Sequence, residues 1–349
     1  MNKNYNFDSL TGLKGLFCLV IVFFHTLPDT DLIRMIAMTS LIQNYGGTLG
    51  NYFFFLSSGL LIATRYRERI FSGTVTFQDF LAKRLCKLYP LYLISNLAAL
   101  VLEVWQFGWS GINIKKIVFT VLLQCGGGLE TTHPYNGPAW FISALFVCYL
   151  VYFFIACHAK NTTQYYCMVA AGIIWGYSNL DGSGIIPMAF ARQGESFFCF
   201  FIGCVLAEIY PRIRREYHKW LEPASLFCIL AAGFLMLRYG VEIISGDSRV
   251  AFACFLLPLM LYFALYNRGA IMLLTSRPIQ YLGKISFSVY LWHYVVYVFY
   301  HHLYQIFTGS RNLGNLSYLL YLGLMLVVSI LSHLFIEKRN WTRSNRALL

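Results

Sequence analysis

Among the eight histidines of this 349-residue chain, His25 lies within an apolar run from Leu10 to Leu27. Ionisable groups are costly in such surroundings, so each is first a candidate for chemistry. Neutral imidazole is cheap to bury, and with an unperturbed pKa of about 6.5 it can take a proton from a hydroxyl and return it. His25 is therefore a candidate general base, although its position also suits a helix cap at headgroup depth. Lys14 precedes it in the same run, about 16 Å away on a helix rising 1.5 Å per residue. A second group of cations, Lys83, Arg84 and Lys87, stands just before Leu88-Tyr89-Pro90. Arg84 and Lys87 fall one helical turn apart and, with Lys14, suit a phosphate-bearing cofactor arriving from the cytoplasm. Basic residues at helix ends also serve topology and lipid headgroups.

Other polar residues are candidates for substrate contact. His293 follows Gly283, Ser286 and Ser288 in another apolar run and is expected near mid-membrane, either hydrogen-bonded to neighbouring helices or in the chemistry. His133 sits in a Gly-rich segment, Cys125 to Pro138, that could fold over a substrate. Trp140 is either an interfacial anchor or a platform for a sugar ring. Ser57 and Ser58 could line a path toward His25. Asp29, Asp31, Glu103, Glu130 or Glu195 could orient its imidazole, and Glu195 is also a candidate substrate contact. No GxSxG motif, phosphate-cradling Gly loop or zinc motif is present, and no metal is expected.

These residues need elements to hold them, and composition says of what kind. Hydrophobic side chains make up 58% of the chain and charged ones 12%, against roughly a quarter charged in soluble domains. The expected solvent is a lipid bilayer, and the 30 Phe and 25 Tyr suit its core and interfaces. Apolar runs long enough to span about 30 Å are predicted near 10–27, 45–64, 86–107, 138–158, 164–178, 195–209, 222–240, 250–267, 283–306 and 316–336. The fifth and sixth are short and interrupted by Gly, and are expected to be tilted, broken or partly re-entrant. The stretch 112–124 is expected to lie at the interface or half inserted. The net charge of +12 comes from Lys and Arg clustered in short loops and does not point to nucleic acid. With the N-terminus inside, nineteen cations fall on inner segments and seven on outer ones, so both termini are predicted cytoplasmic. The ten cysteines form no CxxC pair and are expected to be reduced packing residues. The fold class is thus all-α and polytopic, with about ten transmembrane helices forming a single domain over 1–349 and no appended soluble domain.

Four landmarks, in order, carry a resemblance along nearly the whole length. They are Leu13-Lys14-Gly15-Leu16 leading to Phe24-His25, Phe53-Phe54-Phe55-Leu56-Ser57-Ser58-Gly59, Lys83-Arg84 leading to Tyr89-Pro90, and Gly283-Lys284-Ile285-Ser286 leading to Trp292-His293. Together they resemble the acyltransferase 3 family of membrane-bound O-acyltransferases. The resemblance implies an acyl-CoA donor, acetyl-CoA first, and a carbohydrate acceptor at the cell surface or linked to lipid. It also implies a multi-pass protein of the cell (inner) membrane. His25 matches the family's essential first-helix histidine. Lys14 and Lys87 stand where the family has arginines, keeping charge but losing the bidentate fork, and Leu145 replaces a glutamate that many members carry. The expected function is transfer of an acyl group from cytoplasmic acyl-CoA to a sugar hydroxyl. The donor is expected at Lys14, Arg84 and Lys87, with His25 as base. A proton-coupled transporter or flippase of a polysaccharide precursor is the alternative.

Overall fold

The computed structural model describes residues 7–26, 37–182, 189–239 and 248–338. It is 86% helical, with no strand among the described residues. The chain runs through α1 (Phe7–Thr26), α2 (Ala37–Phe71), α3 (Phe77–Phe107), α4 (Ile114–Val121), α5 (Trp140–His158), α6 (Thr162–Ser178), α7 (Ala191–Ile209), α8 (Arg215–Tyr239), α9 (Ser248–Ala251), α10 (Leu257–Tyr266), α11 (Arg268–Leu274), α12 (Arg277–Thr308) and α13 (Asn315–Ser332). Two π-helical segments, Phe252–Leu256 and His333–Glu337, join α9 to α10 and extend α13.

Among the described residues, seven helical stretches are long and apolar enough to cross a bilayer. They are α1, α3, α5, α7, α8, the α9–α10 stretch and α13 with its π segment. The other three predicted runs also form helices, α2, α6 and α12. Of these, α6 is 17 residues long, while α2 and α12 mix their apolar residues with Asn, Gln, Arg, Lys and His. The chain ends, 1–6 and 339–349, lie outside the described residues, and with them the prediction for both termini.

Two compact units form, one from 1–64 with 202–286 and the other from 65–201 with 287–349. In the first unit, α1 packs on α10 and α11, and α10 on α8. Glycines set the closest approaches, since small residues let membrane helices meet backbone to backbone. A Cβ added to Gly15 would lie 2.7 Å from the Gly283 nitrogen, and one on Gly283 would lie 2.0 Å from the Thr11 carbonyl oxygen. Just above this crossing, the Cys18 thiol donates to the Ser286 carbonyl at 3.2 Å, and the Phe17 and Phe53 rings stack at 4.0 Å. The first and fourth sequence landmarks thus meet as a packing seam.

In the second unit, α3 packs against α5 and against the π segment His333–Glu337, and α5 packs on α6. Pro90 lies inside α3 without ending it; it removes one backbone donor. Of the three readings of the fifth and sixth spans, tilted, broken or partly re-entrant, the break is corrected, because α6 and α7 are each one continuous helix. Their glycines serve contact instead of a break. A Cβ on Gly176 would fall 2.3 Å from the Phe198 nitrogen, and one on Gly194 would fall 2.4 Å from the Asn179 oxygen. The stretch expected at the interface forms the short helix α4, its start capped by Asn113, whose side chain accepts from the Lys116 N–H.

Candidate active site

The first unit holds Lys14 and His25 on one helix, both half-buried. The His25 Nδ1 lies 3.1 Å from the Ile21 carbonyl oxygen. A carbonyl only accepts, so Nδ1 carries the proton and Nε2 is the basic nitrogen. This backbone contact fixes the tautomer. Phe24 meets the imidazole edge to face at 4.8 Å. Ser57 is fully buried and its hydroxyl donates back to the Phe54 carbonyl at 3.2 Å, while Ser58 is half-buried.

The second unit holds Arg84 and Lys87 on α3, one turn apart as predicted. The Arg84 guanidinium sits in an aromatic surround, 5.0 Å from the Tyr66 ring, 5.7 Å from Phe80 and 5.8 Å from Tyr149. One Nη donates to the Tyr66 hydroxyl at 2.7 Å. Its Nε–H is buried and has no hydrogen-bond partner among the described residues. Lys87 is exposed and feels the charges of Arg84, Glu337 and Arg65. The sequence pointed to the α3 pair but not to Arg65 or Glu337, which come from the end of α2 and the last π turn. An orphaned guanidinium donor amid three cations is chemistry for an anion.

Three further candidates converge in the same unit, through Arg192, which the sequence did not single out. Arg192, in the first turn of α7, hydrogen-bonds His133 through one Nη, and its other Nη donates to the Thr131 carbonyl at 3.1 Å. Its guanidinium lies 5.5 Å from the Trp140 ring and feels the charge of Glu195. Burial against its neighbours, and then the Arg192 charge, hold the His133 imidazole below its ordinary pKa. The segment bearing His133 is tied down rather than open. Glu130 bonds Lys115 at 2.5 Å and accepts from the Thr132 N–H at 3.1 Å. The Lys115 contact, foremost, keeps the Glu130 carboxyl below its usual pKa. Gly126 adopts a φ of +70°, and Gly127 presses on Ala144 of α5.

His293 is fully buried, its Nδ1–H donating to the Tyr290 carbonyl at 2.7 Å. The same stretch of α12 anchors the foot of the loop: Tyr290 donates to the Pro138 carbonyl at 2.6 Å, and Asn136 Nδ2 to the Leu291 carbonyl at 2.8 Å. Asn136 was missed by sequence reasoning. Its side chain is fully buried and its Oδ1 has no partner among the described residues. The Asn-Gly-Pro string ahead of Trp140 was the available signal. Of the acids considered for orienting His25, Glu103 pairs with Lys116 at 3.6 Å, and Glu130 and Glu195 face Lys115 and Arg192. Asp29 and Asp31 lie outside the described residues.

No curated protein sequence and no solved structure matches the chain. A family model described as an acyltransferase domain matches residues 7–334, which takes in α1 with Lys14 and His25, the basic turn of α3 and the loop cluster at Arg192. With nearly the whole chain matched and its apolar helices as the frame, the chain belongs to the acyltransferase 3 family and is an acyltransferase of the membrane-bound type.

Proposed function

We propose that this protein transfers an acyl group, acetyl first, from cytoplasmic acyl-CoA to a hydroxyl of a carbohydrate that is lipid-linked or on the cell surface. The observation that carries the reading is the buried, partnerless Arg84 Nε–H beside Lys87 and Arg65. A buried donor left unmade costs about 1–3 kcal/mol, and a phosphate oxygen would satisfy it. These three cations fit the phosphates of coenzyme A, and Lys14 is proposed as a further donor-binding residue. The bound donor supplies an acyl carbon activated as a thioester. His25, proton on Nδ1, presents Nε2 as base: it takes the acceptor hydroxyl proton as the C–O bond forms and the C–S bond breaks, and the thiol leaves protonated. His133, Trp140 and Glu195, gathered by Arg192, are proposed to receive the sugar, with Ser57, Ser58 and His293 as further contacts. We take the chain as one transmembrane domain of about ten helices in the cell (inner) membrane, with cytoplasmic ends.

Membranes containing the protein, incubated with acetyl-labelled acetyl-CoA and candidate glycans, test this. Alkali-labile label in the glycan is the expected result. Movement of unmodified glycan across the membrane with no label transferred would replace the enzyme by a transporter.

A further inference from the structure

The basic cluster of the second unit contains an acid held in place by its own network, and that network has a consequence for turnover. Glu337 ends the π segment after α13, and this segment packs on α3, which carries Arg84 and Lys87. Its Oε2 accepts from the Ser288 hydroxyl of α12 at 2.8 Å and from His333 Nδ1 at 2.5 Å. The carboxylate and the His333 ring are only 15% and 14% exposed, so the charge is fixed and partly desolvated, unlike a mobile surface acid. A π turn places residues i and i+5 in register and is a frequent mark of function within α-helices. Lys87 feels this charge along with those of Arg84 and Arg65.

An acid within electrostatic range of Lys87 is also within range of any phosphate that Lys87 binds, and it repels that phosphate. We propose that Glu337, locked by Ser288 and His333, is a fixed counter-charge that limits how tightly the Arg65–Arg84–Lys87 cluster holds an anionic donor. This proposal rests on the donor-binding reading above. Its value to the reaction follows from chemistry: acyl-CoA and the product CoA carry the same phosphates. A site that gripped phosphate without restraint would bind substrate and product alike, adding affinity without rate and slowing product release. Glu337 is therefore a positioning residue that sets donor and product affinity through Lys87 and touches no reacting atom.

The test uses the full chain in lipid nanodiscs, with CoA and 3′-dephospho-CoA as probes. Glu337→Gln keeps shape and removes charge. It is expected to tighten CoA binding about tenfold, as expected for one unit charge at a partly exposed site. It should lower the acyl-CoA KM and lower kcat, with a smaller effect on dephospho-CoA. Glu337→Asp should restore most of the wild-type values. Ser288→Ala and His333→Asn, which release the carboxylate without neutralising it, should tighten CoA binding by a smaller factor. Mere structural damage moves binding the opposite way, so weaker or unchanged CoA binding in Glu337→Gln, with the fold intact by melting, overturns the proposal. If Glu337→Gln does not fold, the same sign is required of the Ser288 and His333 variants. Should the wild-type protein bind no CoA, the donor reading itself falls. Should it bind CoA in an Arg84-dependent way with no tightening in these variants, only the counter-charge fails.

Discussion

Replacement of Gly15 by Ala probes how α1 is held, and through it the placement of His25. The added Cβ would lie 2.7 Å from the Gly283 nitrogen, about 0.7 Å short of ordinary contact at 3.4 Å. The obstruction is backbone on α12, which cannot rotate away as a side-chain tip would. Either α1 shifts or the seam opens, and overpacking of this kind costs about 1–3 kcal/mol. His25 lies ten residues further along the same helix, roughly 15 Å at 1.5 Å per residue, so a tilt at Gly15 is carried to the imidazole. Misplacement by about 1 Å can cost around 100-fold in rate. Expected, then, are a lower melting temperature in nanodiscs and a loss of acyl transfer approaching two orders of magnitude, with kcat affected more than donor KM. Gly283→Ala should be at least as severe, its Cβ falling 2.0 Å from the Thr11 oxygen. Combining the two changes should cost less than the sum, since both open one gap. The control is Gly323→Ala on α13, where a Cβ meets nothing within 4 Å; the better helix former should be neutral or stabilise by about 0.5–1 kcal/mol. A Gly15→Ala protein with wild-type melting and transfer would show that this seam does not set the position of α1.

His25→Ala should abolish transfer to glycan while leaving expression and CoA binding intact, measured by label transfer and by calorimetry; retained transfer removes His25 from the mechanism. Arg84→Lys keeps the charge but loses the Nε–H and the planar fork, so the donor KM should rise about tenfold or more, and a KM within twofold of wild type would refute the phosphate role. The folded-state pKa of His133 is depressed by burial and by Arg192. The unfolded chain therefore binds more protons, and the contribution of His133 to stability is complete above its unfolded pKa near 6.5 and declines as pH falls through the lower folded value. Protease resistance of the 125–139 segment should weaken between pH 7 and pH 5, and His133→Gln should remove that contribution from the pH dependence; an identical slope in the variant refutes it.

Hydropathy is a local property of the chain, and so the sequence by itself located the long helices. Each predicted span coincides with a helix over its described residues, to within a residue at its ends, because around twenty apolar residues with few charges have one stable backbone state in lipid. The His25–Lys14 spacing and the one-turn separation of Arg84 and Lys87 follow from helix geometry and were legible for the same reason. The Gly-interrupted stretches misled, since a glycine that breaks a helix and one that admits a neighbour look alike in sequence; only the closeness of Phe198 to Gly176 and of Gly283 to Gly15 distinguishes them. Charge partners were equally invisible. Arg192 joins His133, separated by 59 residues, and Ser288 meets Glu337 across 49. Such pairings depend on which helix faces touch, and contacts that distant in sequence leave no periodic trace. The partnerless Nε–H of Arg84 is likewise a property of its surroundings: the residue type announces a cation, but only the packed aromatic rings of Tyr66, Phe80 and Tyr149 decide that one of its donors has no hydrogen-bond partner among the described residues.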